Sequence, residues 1–196
     1  MNFTENIENS DFLLIACGEE FEKRKDAIDA YNILADKIKD KNYFIVNLCI
    51  DDSIYDSSLN KEKIVKPLGT HLKKQCVDAC NHDLYDITES VCPVCGKELV
   101  FNSIETENYV EEGYLPMWEA YKKWLTFSLN KKLFVVELGV NLAFPQIVRF
   151  PFERMVMLND KATMLRVNEK LWQVPTEISS KAETVSKNSV DWLKSL

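Results

Sequence analysis

Apolar and polar positions along this chain follow two alternating periods. "DFLLIACG" (Asp11–Gly18) is a continuous apolar run ending in Gly, the pattern of a strand buried on both faces. The next stretch, "EEFEKRKDAIDAYNILADKIKDKN", changes period. Ile28, Tyr31, Leu34, Ala35 and Ile38 recur at helical spacing with charges on the other face, which predicts an amphipathic helix. "YFIVNLCI" (Tyr43–Ile50) predicts a second buried strand and "EKIVKPLG" (Glu62–Gly69) a short third. "LPMWEAYKKWLTFSLNK" puts Trp118, Tyr121, Trp124 and Leu125 on one helical face, an aromatic stripe suited to a core. "KLFVVELG" (Lys132–Gly139) predicts a strand, "FPQIVRFPFERMVM" a helical segment interrupted at Pro151, "ATMLRVN" a last strand and "AETVSKNSVDWLKSL" a last helix. Repeated strand–helix units predict an α/β fold: a mostly parallel sheet with helices on both faces. Ligands in such sheets bind at the carboxyl ends of strands. The positions of interest are therefore 16–18, 48–52, 139–143 and Asn168.

One segment breaks this rhythm. Between the third strand and the aromatic helix lies "CVDACNHDLYDITESVCPVC", which holds four of the six cysteines. Cys76-x3-Cys80 and Cys92-x2-Cys95 form two close pairs, and short spacings let two thiolates from one turn reach the same tetrahedral ion. Pro93 stiffens the second turn, and Gly96 can take the positive φ such turns use. Four thiolates favour a structural Zn²⁺. A redox dithiol and two disulfides are the alternatives. His82 lies close enough to replace one cysteine, or is an exposed loop histidine. Cys17 and Cys49 sit within apolar runs and read as buried thiols.

Composition narrows the function classes. A chain of 196 residues that is 46% apolar can bury a core, as one domain or as one domain with a small insertion. The net charge of −7 argues against general nucleic-acid binding, which needs a basic face. No apolar run approaches a membrane span, and the acidic "MNFTENIENSD" is unlike a secretory signal. A cytoplasmic protein is expected, where paired cysteines are more often metal ligands than disulfides.

"KDKNYFIVNLCIDDSIYDSSLNKEKIVKPLGTHLKKQC", "QCVDAC…YD…CPVCGKELVFN" and "LFVVELGVNLAFPQIVRFPFERM" resemble the matching segments of sirtuins, most of all the macrodomain-linked microbial class M sirtuins. The resemblance extends to "RVN" and the closing "DWLKSL". It implies a Rossmann-like large domain over residues 1–69 and 103–196, with a zinc-ribbon insertion over 70–102. It also implies cofactor-binding positions at Gly18, Asp51, Gly139, Asn141 and Asn168, zinc ligands at Cys76, Cys80, Cys92 and Cys95, and an ancestral cleavage of NAD at its nicotinamide bond.

The chain departs from the family where the cofactor would be handled. Gly18 is followed by Glu19 and Glu20 instead of a glycine-rich phosphate loop, and carboxylates at a helix N-terminus would repel a pyrophosphate. A long family segment after the first strand is missing. Cys49 replaces an Asn, and Leu68 stands where the family has a catalytic His or Gln. Asn141 replaces the second Gly of "GVNLAF", and Ala143 an Asn that contacts ribose. Leu can neither take a proton nor bond a hydroxyl. His71 is the nearest substitute base, and Asp51 and Asp52 could pair as acid and base, although a solvated loop explains them more simply. No residue is assigned a catalytic role. Three function classes follow: a non-catalytic sirtuin-like protein acting through a protein partner, an NAD-dependent deacylase or ADP-ribosyltransferase with noncanonical residues, and a weak NAD or ADP-ribose sensor using Asp51, Gly139 and Asn168.

Overall fold

The structure is a computed structural model and describes residues 3–196. Six short strands make one sheet: β1 (Phe12–Cys17), β2 (Tyr43–Asn47), β3 (Ile64–Val65), β6 (Leu133–Leu138), β7 (Thr163–Val167) and β8 (Ala182–Val185). The other two, β4 (Gly69–Cys76) and β5 (Leu99–Ser103), form a separate antiparallel ribbon. The large sheet runs β3-β2-β1-β6-β7-β8, and every ladder in it is parallel. This is the doubly wound Rossmann order, in which the direction of winding reverses between the two central strands, here β1 and β6.

The apolar runs split cleanly by the two-residue strand period. Leu13, Ile15, Cys17, Phe134, Val136 and Leu138 face one layer, built by α1 (Phe3–Asn9), α2 (Ala27–Ile38) and α5 (Ser189–Lys194). Leu14, Ala16, Phe44, Val46 and Val135 face the other layer, built by α3 (Leu115–Ser128) and α4 (Arg149–Leu158). Tyr121 and Trp124 are buried there, so part of the aromatic stripe is core. The second layer also covers a buried ion cluster. Glu137 and Arg166 are ladder neighbours on β6 and β7, joined by two bonds of 2.7 and 3.1 Å, and Glu153 of α4 adds a third at 2.8 Å.

Several boundaries differ from the sequence pattern. No α-helix starts at Glu19. Residues Glu19–Phe21 make one 3-10 turn, and α2 begins only at Ala27. The third strand stops at Val65, since Pro67 and Leu68 turn the chain toward β4, with the Gly69 amide donating to Lys66 O. Pro151 does not interrupt a helix: α4 starts at Arg149, so the proline falls in the first turn, where no N–H is required. The stretch read as a final helix from Ala182 begins as strand β8 beside β7, and the helix starts at Ser189 behind Asn188. Asn188 Oδ1 accepts from the amides of Val190 and Asp191, a cap that marks the break. The N-terminal stretch forms α1, which sets Phe3 against Phe134 and Trp192. The i, i+4 pair Phe3 and Ile7 was its signal.

Candidate functional site

The switch point lies where β1 and β6 end, at Gly18 and Gly139. A Cβ on Gly18 would stand 2.4 Å from Val140 Cα, so the two strand exits touch. Gly139 has φ +67°, and a Cβ there would stand 2.5 Å from Glu20 Cβ and 2.7 Å from Ser189 Oγ. The glycines serve a close approach of chain to chain.

The turn after Gly18 delivers three carboxylates into this crevice. Glu19 Oε2 accepts from the Asn141 amide at 2.9 Å, beyond β6. Glu20 Oε1 accepts from the Glu169 amide at 2.8 Å, beyond β7, and its Oε2 accepts from the Ser189 amide at 2.7 Å and from the Ser189 hydroxyl. Glu22 takes the amides of Ile50 and Asp51, at 2.9 and 3.1 Å, beyond β2. Main-chain N–H groups facing an open crevice are what a phosphate would use. These are held by the protein's own anions. Burial pushes the Glu19 carboxyl up, against the Asn141 amide that favours its charge, and Glu19 Oε1 is buried without a partner among the described residues. The sequence pattern marked Glu19 and Glu20 as repellent charges. It missed Glu22 and Ser189 and the bonding role of all three acids.

The remaining sequence-derived positions are also engaged. Asp51 Oδ2 accepts from the Lys23 amide at 2.8 Å, and Oδ1 from the amide and hydroxyl of Ser53 at 3.0 and 2.6 Å. Burial works against its charge, yet these bonds hold its pKa below the ordinary aspartate value. Asn141 Oδ1 closes its own turn on the Ala143 amide. Asn168 does likewise with Lys170 and Leu171, and its Nδ2 donates to Val140 O at 3.0 Å. Leu68 is buried in the α3–α4 layer. Cys49 Sγ donates to Gly18 O at 3.2 Å, and burial pushes both Cys17 and Cys49 up, which keeps them as thiols. His71 is engaged elsewhere, its ring tilted by 36° against Phe101 with centroids 4.6 Å apart and Nε2 3.4 Å from Glu105. Asp52 is no solvated loop acid. It pairs with the buried Lys66 and accepts from Thr70 Oγ1 and the His71 amide at 2.7 and 2.9 Å.

The β4–β5 ribbon gathers the four cysteines. All four sulfur atoms lie within 4.8 Å of one another, with Cys76–Cys95 at 3.5 Å and Cys80–Cys92 at 3.6 Å. Tetrahedral bonds of about 2.3 Å to one ion would set sulfurs about 3.8 Å apart, so the donor set fits a metal. All six cysteines are free. Amides of Cys95 and Val94 pull the Cys92 thiol down to about 6, and those of Cys80 and Asp78 lower Cys76. Thiols this close cannot all ionise without a cation among them. His82 stands outside the set, its Nδ1 against Glu112. Gly96 has φ +74°, as its turn requires.

No protein-family profile matches the chain. A curated "Protein ADP-ribosyltransferase" of Staphylococcus aureus (strain Mu50 / ATCC 700699) is 21% identical over 173 residues, covering 78% of this chain and 55% of the relative. The chain thus spans about half the length of that protein. Among solved structures, two complexes of mutant Sir2 homologues with ADP-ribose superpose with TM-scores of 0.65 and 0.62. Each covers 100% of this chain and 94% of the other, at 8% and 10% identity. The fold is that of Sir2 proteins, with a cysteine cluster able to hold a metal ion.

Proposed function

We propose that this chain is a sirtuin-fold protein of the macrodomain-linked lineage that does not turn over NAD and acts, in the cytoplasm, by binding another protein. One observation carries this reading: the backbone amides at the carboxyl ends of β2, β6 and β7 already bond Glu22, Glu19 and Glu20. A pyrophosphate entering there would have to displace carboxylates of its own sign. Leu68 and Cys49 supply no base and no amide at the positions the sirtuin resemblance makes reactive. Cys76, Cys80, Cys92 and Cys95 hold one structural Zn²⁺, which staples the insertion over residues 70–102.

The test is calorimetry with NAD and ADP-ribose, together with nicotinamide release in the presence of acylated or generic protein acceptors. The expected result is no turnover and at most weak ADP-ribose binding. If the crevice admits any ligand, ADP-ribose binds better than NAD, because it lacks the nicotinamide end whose contacts are lost.

The name of the S. aureus relative favours a second reading, an NAD-dependent ADP-ribosyltransferase or deacylase with noncanonical residues. Nicotinamide released in step with acceptor modification would establish that reading and overturn the first.

A further inference from the structure

On the α3–α4 face an apolar groove of about 500 Å³ opens between the two helices. Trp118, Leu125 and Leu129 wall it on one side, and Pro151, Met155 and Leu158 on the other. The spacing on each side is helical, so each helix offers a continuous apolar stripe beside the one it buries in the core. Leu129 and Leu158 are both 68% exposed. Large aliphatic side chains lining one groove from two elements mark a binding surface more than scattered exposure does.

The charges at this groove have one sign. Lys122 and Arg154 are its charged lining residues, and no carboxylate lines it, in a chain whose net charge is −7. Arg154 makes no ion pair among the described residues. Lys122 pairs with Glu119 one turn back, at 2.5 Å, in an exposed contact that costs little to exchange. A second copy fits poorly, because an isologous contact would bring the same cationic rims together. The walls are helices whose backbone groups bond internally, so a strand laid here would find no ladder partners. A helix satisfies its own backbone and needs only side-chain contacts.

We propose that this groove is the partner-binding surface, and that its occupant is an amphipathic helix of another protein, with an apolar ridge at i, i+3/i+4 and i+7 flanked by acidic residues. The proposal rests on the partner-binding half of the reading above. A protein that turns over NAD and still binds such a helix would sink the pseudoenzyme half and leave the groove assigned.

The probes are two fluorescein-labelled, helix-stapled peptides with the same leucine ridge, one flanked by glutamates and one by lysines. Their anisotropy is read against the 196-residue chain. The acid-flanked peptide is expected to bind roughly fivefold or more tightly, the preference shrinking with salt. Leu129→Asp/Leu158→Asp is expected to abolish binding, and Lys122→Glu/Arg154→Glu to reverse the preference. All four positions are surface-lying, and circular dichroism checks that each variant is folded. Equal binding of the two peptides, or binding untouched by these variants, overturns the proposal. So does a dimer in sedimentation velocity that Leu158→Asp dissociates, which would make a second copy the occupant. Displacement of the peptide by stoichiometric long-chain carboxylate would overturn it in favour of a small amphiphile.

Discussion

The cysteine ribbon and the crevice at the strand ends are both points where polar atoms converge, and they are completed in opposite ways. In the ribbon, four donors of one kind face each other, with sulfurs all within 4.8 Å, a set that one cation could satisfy together. In the crevice, donors and acceptors are matched from within: five main-chain amides from four parts of the chain meet three carboxylates from one turn. The first asks for a ligand and the second has supplied its own. On the reading proposed above, the fold keeps its architecture and a metal staple while two or three side chains occupy the amides at the strand ends.

Metal removal should test the sharper side of this contrast and give the largest effect. The module's own buried cluster is Cys76, Tyr85, Cys92 and Leu99, so the proposed ion would supply most of its folding energy. Structural zinc sites of this kind are worth on the order of 10 kcal/mol. Metal analysis should find about one zinc per chain. Chelation or Cys92→Ser should lose it and expose residues 74–103 to hydrogen exchange, while the large sheet stays protected. Full occupancy by disulfides, with no metal, would contradict this.

Gly139→Ala attacks the closed side. The new Cβ would meet Glu20 Cβ in a left-handed backbone conformation, and the combined strain and clash should cost roughly 2–4 kcal/mol in denaturant unfolding. In a Glu20→Gly background the contact with Glu20 is gone and the one with Ser189 Oγ remains, so the same change should cost less than in the parent. Additive costs would mean that Glu20 does not pack on Gly139.

Glu20→Ala alone removes the acceptor for the Glu169 and Ser189 amides. A loss of about 1–3 kcal/mol is expected from leaving them unpaired. The same variant should bind ADP-ribose more tightly than the parent, because the amides are freed and a like charge is removed. Unchanged affinity would separate the acids from the closure of the site.

The smallest effect is a pH dependence. The Arg24 guanidinium, and then Lys194, hold the Asp26 carboxyl well below the usual aspartate range. Its contribution is present above the ordinary unfolded value and is lost as pH falls through the depressed folded one. Melting curves of the parent and Asp26→Asn should therefore differ slightly at neutral pH and converge as pH drops below roughly 4. The exposed part of this network should also weaken with salt.

Much of the architecture was legible because it rests on periodicity. The apolar runs ending at Gly18 and Gly139 are the two central strands, and the cysteine spacings mark the ribbon. What was illegible depends on contacts between distant segments. "AETV" carries no period long enough to tell a half-buried edge strand from a helix, and β8 is settled only by its place beside β7. Glu19 and Glu20 read as charges that exclude a phosphate. That they bond the amides beyond β6 and β7 requires the sheet to be assembled first. His71 and Asp52 read as reserve chemistry, and neighbours from β5 and the Lys66 turn engage them instead.

Glu20 and Ser189 are 169 residues apart in the chain, and the turn that carries Glu20 also needs the finished ends of β2, β6 and β7. Closing so long a loop is entropically costly and comes after the local pairings that define the sheet. The acidic turn should therefore dock late, beyond the folding barrier. Kinetically, Glu20→Ala should leave the refolding rate nearly unchanged and appear as faster unfolding, whereas a truncation in the β1–β6 core should slow refolding. The contacts that close the crevice would then act mainly as a brake on unfolding.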